Sequence, residues 1–164
     1  MAERYETDAP TAWDLANRPG FLIRRLHQIH LALFAEECGG FGVTPVQYSL
    51  LTAVAANPGL DQSAVALLVG IDRATTANVL ARLEANGLLR RDRGPDDGRV
   101  KLIRATAAGR RMLRRMDAAA RRAHERTLAG LPPAERARFV RSLARLVDAG
   151  NAHGRAPMQI GSEH

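Results

Sequence analysis

Apolar residues recur at three- and four-residue steps along most of this chain, a spacing that predicts helices rather than strands. Leu22, Ile23, Leu26, Ile29, Leu33 and Phe34 follow Pro19, so a first helix is expected from Pro19 to about Cys38, ended by Gly39-Gly40. Its apolar face is wide for a surface helix, which points to more than one packing neighbour, including one from another subunit. Thr44-Pro45 joins an N-cap to a proline at the first helical position. The helix it opens carries Val46, Leu50, Leu51 and Val54 and stops at Asn57-Pro58-Gly59. Asp61 caps a short helix, Gln62 to about Leu68, and Val69-Gly70-Ile71 reads as a tight turn. Asp72 then caps a longer helix that reaches Asn86-Gly87.

The pattern changes next. Leu88–Arg93 and Arg99–Ala105 read as short and extended, and the turn formers Gly94-Pro95-Asp96-Asp97-Gly98 between them predict a β-hairpin. Thr106 caps a long helix, Ala107 to about Ala129, which Leu131-Pro132-Pro133 breaks. A last helix, about Ala134 to Ala149, carries Phe139, Val140, Leu143, Leu146 and Val147 on one side. Residues 1–18 form a polar N-terminal arm with Trp13 and Leu15 as packing anchors, and 150–164 a flexible tail without periodicity.

Composition agrees with a helical core. Hydrophobic residues make up 46% of the 164 positions but aromatics only 4%, so Leu, Val, Ile and Ala must fill the interior of one domain. A lone cysteine, Cys38, excludes an intramolecular disulfide. No apolar run approaches the roughly 18–20 residues of a membrane span. With a polar, acidic start unlike a signal peptide, the expected location is cytoplasmic. No Gly-rich phosphate loop, HExxH, GxSxG or paired-carboxylate pattern is present, so no enzyme is expected, and no cofactor or metal.

The formal charge is +7, and Lys101 is the only lysine among 24 basic residues. Arginine presents a planar fork of donors that matches phosphates and guanine edges, although the same bias follows from a GC-rich genome. Placement decides between them. Asp61 to Gly87 has the form short helix, glycine turn, longer helix, the arrangement of a helix-turn-helix. Thr76, Val79, Leu80 and Leu83 share one stripe of the second helix and would anchor it to the core. Arg73, Ala74, Thr75, Ala77, Asn78, Ala81 and Arg82 point elsewhere, a slim face with hydrogen-bonding forks suited to the major groove. A solvated amphipathic helix would look similar. The hairpin that follows carries Arg90, Arg91, Arg93, Arg99 and Lys101, and Asp97 stands where it can brace the Arg99 guanidinium. Such a basic hairpin beside a recognition helix is a wing, able to lie along phosphates and place an arginine in the minor groove.

Four segments together resemble the multiple antibiotic resistance regulator (MarR) family: Gln62-Ser-Ala-Val-Ala-Leu-Leu-Val-Gly, Asp72 through Arg91, Asp96-Asp-Gly-Arg99 and Thr106-Ala-Ala-Gly109. The likeness covers about Pro19 to Ala149. It implies a mainly α fold: a winged helix-turn-helix with N- and C-terminal dimerisation helices and one β-hairpin wing. Within a domain spanning 19–149, it implies a DNA-binding lobe over 44–105 and dimerisation helices over 19–38 and 106–149. The DNA contacts expected are Gln62, Ser63, Arg73, Thr75, Ala77, Asn78 and Arg82, with Arg93, Asp97 and Arg99 from the wing. Gly98 departs from the family, which often has a basic residue there. The partners implied are a second copy of the chain and a double-stranded, pseudo-palindromic operator of roughly 16–20 bp.

Members of that family commonly leave DNA when a small, often aromatic, acid or its CoA thioester binds. The resemblance therefore implies a repressor with an effector site between the two lobes, for which Arg24, Arg25, His27, His30, Tyr48 and Arg110 are the candidates. His27 and His30 read equally well as hydrogen-bonding residues of a dimer interface. A metal site from that pair with Glu36 and Glu37 lacks a supporting cluster. The remaining alternatives are an architectural DNA-binding protein without effector and a redox-responsive regulator acting through Cys38.

Overall fold

Side-chain caps set where most of the helices start. Thr44, Asp61, Asp72 and Thr106 each accept a hydrogen bond from the backbone N–H three residues on, satisfying a donor that has no partner inside the helix. Thr44 and Gln47 go further and form a reciprocal capping box. The computed structural model describes residues 15–94, 100–154 and 156–158. Along them run α1 (Pro19–Cys38), α2 (Pro45–Ala56), α3 (Gln62–Val69), α4 (Arg73–Ala85), β1 (Leu89–Arg93), β2 (Lys101–Ala105), α5 (Ala107–Thr127) and α6 (Pro133–Gly150). The architecture is the mainly α winged helix-turn-helix expected. Pro133 occupies the first turn of α6 rather than ending the break before it.

β1 and β2 pair antiparallel, with Leu89 opposite Ala105 and Arg93 opposite Lys101. Leu60, between α2 and α3, adds a rung on the other edge of β2: the Ile103 N–H donates to the Leu60 carbonyl at 2.8 Å, and the Gly59 N–H to the Ile103 carbonyl at 3.0 Å. The hairpin is thereby tied to the helix-turn-helix, a pairing absent from the expected fold because one residue has no periodicity. The core is continuous, from Leu50, Leu51 and Val54 of α2 through Val79, Leu80 and Leu83 of α4 to Met116, Ala119 and Ala123 of α5. Gly109 marks its tightest point. A Cβ there would run into the Leu88 carbonyl, so α5 lies against the start of the hairpin at backbone distance. Thr106 reinforces that junction by donating its hydroxyl to the Gly87 carbonyl at 2.7 Å.

α1 lies along α5, and ion pairs fasten their far ends. Arg122 Nε donates to Glu37 at 2.8 Å, while Arg126 reaches Glu37 at 2.9 Å and Glu36 at 2.6 Å. α6 contains no buried residue. Beyond it, at the start of the segment expected as a flexible tail, Asn151–His153 form a 3-10 turn, and the Asn151 side chain accepts from the Met158 N–H at 2.7 Å. Met158 then rests against Gly70 in the turn between α3 and α4. Trp13, one expected anchor of the N-terminal arm, lies outside the described residues, and Leu15 is exposed.

Candidate nucleic-acid interface

α3 and α4 are bent 109° from one another across the turn at Gly70, within the angle that presents a second helix to a groove. Thr76, Val79, Leu80 and Leu83 are buried, which fixes the roll of α4 about its axis. Arg73, Thr75, Asn78 and Arg82 are exposed on the remaining face, with Ala77 half-buried between them. Ser63 is exposed at the first turn of α3 and Gln62 half-buried beside it. Among the described residues, neither Arg73 nor Arg82 forms an ion pair.

Thr75 has a second task. Its N–H and its hydroxyl both donate to the Asp72 carboxylate, at 2.9 and 2.7 Å. These two bonds hold the Asp72 carboxyl below the usual carboxylate range. The Thr75 hydroxyl proton is thus committed to the cap, so toward an outside partner this side chain offers acceptor lone pairs and a methyl group.

Alternation along the hairpin separates two sets of cations. Leu89, Arg91 and Arg93 share a face with Lys101, Ile103 and Ala105, and this face passes from buried at its base to exposed at Arg93 and Lys101. Arg91 Nε sits 3.2 Å from Glu84, linking β1 to the end of α4. Arg90, Asp92, Leu102 and Arg104 share the opposite face. Asp97 and Arg99, the expected wing contacts, lie outside the described residues.

The six residues expected at an effector site fall into three places. Arg24, Arg25 and His27 are exposed on the first half of α1, where Arg24 stacks over Phe21 and Arg25 bonds Gln28. His30 and Tyr48 approach Phe34 from two sides, with ring centroids 6.3 and 5.8 Å from it. Burial raises the Tyr48 hydroxyl above its ordinary range. Arg110 is in the first turn of α5, donating to the Ala105 carbonyl at 2.6 Å.

His30 has a defined environment. Its Nδ1 is 2.9 Å from the Thr127 hydroxyl, which gives its own proton to the Ala123 carbonyl at 2.8 Å. Nδ1 must therefore carry the proton in this bond. The ring stacks on His124 at 5.1 Å, and burial, followed by His124 and His27, pushes the His30 pKa down. Glu36 and Glu37 face Arg122 and Arg126 instead of these histidines. Cys38 is fully buried, and burial followed by the Glu37 charge raises its thiol pKa, which disfavours the thiolate that peroxide chemistry needs.

The sequence model of the MarR family matches residues 41–100, a stretch that holds α2, α3, α4 and β1. A candidate transcriptional regulatory protein for the hcr operon of Thauera aromatica is 36% identical over 133 residues, 80% of each chain. The chain belongs to the MarR family. It is a DNA-binding transcription regulator and not an enzyme. Solved structures of other members superpose on this regulator over most of its length. PcaV of Streptomyces coelicolor, solved with its natural ligand, is 42% identical with a TM-score of 0.74, covering 85% of this chain and 99% of PcaV. BpsR of Bordetella bronchiseptica, whose DNA binding is regulated by 6-hydroxynicotinic acid, is 32% identical with a TM-score of 0.77, covering 81% and 95%. No single helix among the described residues is long and apolar enough to cross a membrane.

Proposed function

We propose that this regulator is a homodimeric repressor that inserts α4 into successive major grooves of a pseudo-palindromic operator. The hairpin follows the adjoining backbone, and a small aromatic acid or its CoA thioester releases the DNA. The observation that carries the reading is the two-faced α4, whose buried stripe turns Arg73, Asn78 and Arg82 outward on a slim helix. Arginine forks suit guanine edges and asparagine suits adenine, whereas the hairpin cations suit phosphates. Gln62, Ser63, Thr75 and Ala77 complete the helix-turn-helix surface, with Arg93, Asp97 and Arg99 on the wing. The ligand class is supported by BpsR, which answers to 6-hydroxynicotinic acid.

A second copy of the chain is supported by apolar residues left uncovered on α1 and α6, Ile23 at 58% and Leu146 at 65% exposure among them. Two copies also place two α4 helices on one duplex, as a palindrome requires.

Gel shifts on the DNA upstream of the regulator's own gene, against random competitor, test this reading. Arg82→Ala should weaken specific binding by about 1–3 kcal/mol and relax the preference at one position of each half-site. Equal affinity for operator and random DNA at every salt concentration would favour the architectural alternative.

A further inference from the structure

The chain that leaves α6 comes to rest on the helix-turn-helix. Asn151, the residue after α6, holds the backbone of Met158 with both halves of its side-chain amide. Its Oδ1 accepts from the Met158 N–H at 2.7 Å, and its Nδ2 donates to the Met158 carbonyl at 2.5 Å. Met158 is thereby set against Gly70, where an added Cβ would come within 3.0 Å of the Met158 Cβ. Gly70 stands at φ +64°, so the turn needs a glycine for its own backbone as well as for this approach. Just ahead of Met158, Ala156 and Pro157 line a groove of about 590 Å³ together with Ser63 and Leu67 of α3, Ile71 of the turn and Arg73 of α4.

We propose that Ala156–Met158 form a strap on this groove that competes with DNA for the helix-turn-helix. The inference rests on the DNA reading above, since Ser63 and Arg73 are two of its expected contacts. A segment lying against a DNA-reading surface can add contacts to the duplex or take its place. The chemistry of this one decides for the second. A phosphate oxygen is bound by N–H and O–H donors or by positive charge. Pro157 has no N–H, and the Met158 N–H is already given to Asn151. The side chains of Ala156, Pro157 and Met158 carry no donor. The strap therefore offers phosphate neither of these two amides nor a side chain, while it stands beside Ser63 and Arg73.

The hold is light enough to be reversible. One side chain supplies both hydrogen bonds, and Leu67 on the groove wall remains 43% exposed with the strap in place. A strap closed about nine-tenths of the time lowers the apparent operator affinity about tenfold, because only the open fraction binds. Its anchor, Asn151, directly follows α6, so the strap joins the helix proposed to meet a second chain to the surface proposed to read DNA.

Operator titration of the full chain, of a chain ended at His153 and of Asn151→Ala tests the proposal. Residues 154–164 carry one arginine and one glutamate, so removing them leaves the formal charge at +7 and no gain in affinity can come from net charge. Both variants should bind the DNA upstream of the regulator's own gene about tenfold more tightly, with an unchanged mass in sedimentation. Hydrogen exchange supplies a second readout: the Met158 amide should be protected in the free protein and exposed once operator is bound. The proposal is overturned if neither variant gains affinity, or if the Met158 amide stays protected on the duplex. Asn151→Ala carries the test alone if the shortened chain fails to fold. A random duplex titrated alongside keeps the two readings apart. A parent that prefers operator, with no gain in either variant, loses the strap and keeps the DNA reading. Variants that tighten on both duplexes without preference keep the strap and remove the specific operator.

Discussion

The winged lobe and α6 use the same amphipathic pattern, yet α6 buries none of it within one chain, and α1 buries only Phe34 and Cys38. In α2, α3 and α4 the apolar stripes close on one another, and Leu50, Leu51, Val65 and Leu83 lose all contact with solvent. In α6 the residues of the matching stripe stay out, with Val140, Leu146 and Val147 all exposed, and α1 leaves Leu22, Ile23 and Ile29 in the same condition. Each such side chain forgoes about 1.5–3 kcal/mol of burial. The lobe's own exposed surface is of another kind, made of arginine, asparagine and small residues. The contrast separates two kinds of surface: a polar one suited to phosphates and base edges, and an apolar one suited to a second chain.

The most damaging change to this contrast falls where α5 meets the lobe. Gly109→Ala forces a methyl group against the Leu88 carbonyl, backbone on backbone, and should cost about 3 kcal/mol or more, measured by urea unfolding. An unchanged midpoint would mean the junction of α5 and hairpin is looser than described. Leu146→Asp acts on the other surface. It should cost roughly 2 kcal/mol per chain of association and shift the sedimenting species toward half the mass, while the lobe's helicity is retained. A third change, Thr106→Ala, removes the α5 cap and the bond to the Gly87 carbonyl for about 1 kcal/mol, again by urea unfolding.

The smallest effect is one of pH. The His30 pKa is lowered in the folded protein, mainly by burial, so the folded state binds fewer protons there than the unfolded chain. That deficit is absent above the unfolded value of about 6.5 and destabilises the protein as pH falls below it, levelling off under the folded value. His30→Gln should flatten the stability profile in that window; an equal slope in both proteins would assign it to other groups.

Local signals carried much of this architecture into the sequence. Pro19, Asp61, Asp72 and Thr106 announce helix starts through chemistry that acts over three residues, and the observed elements begin where those residues place them. The stripe of Thr76, Val79, Leu80 and Leu83 reads directly as the buried side of α4. What stayed hidden depends on residues far apart in the chain. The Leu60–Ile103 rung, the Glu37–Arg122 pair and the seat of Met158 against Gly70 have no local period. The effector candidates were drawn from three helices by residue type and expected position, and the fold leaves Arg24, Arg25 and His27 exposed on α1, sets His30 and Tyr48 around Phe34, and puts Arg110 at the start of α5.

The central claim is that the polar surface of α4 reads DNA while the apolar surfaces of α1 and α6 hold two chains together. Sedimentation of the regulator with a labelled operator duplex, repeated with Arg73→Ala/Arg82→Ala and with Leu146→Asp, tests both halves at once. The account predicts two chains per duplex for the parent and an intact dimer without DNA for the arginine variant. For Leu146→Asp it predicts folded chains of half the mass that bind the duplex weakly. A single chain on each duplex, or full operator affinity in the arginine variant, would contradict it.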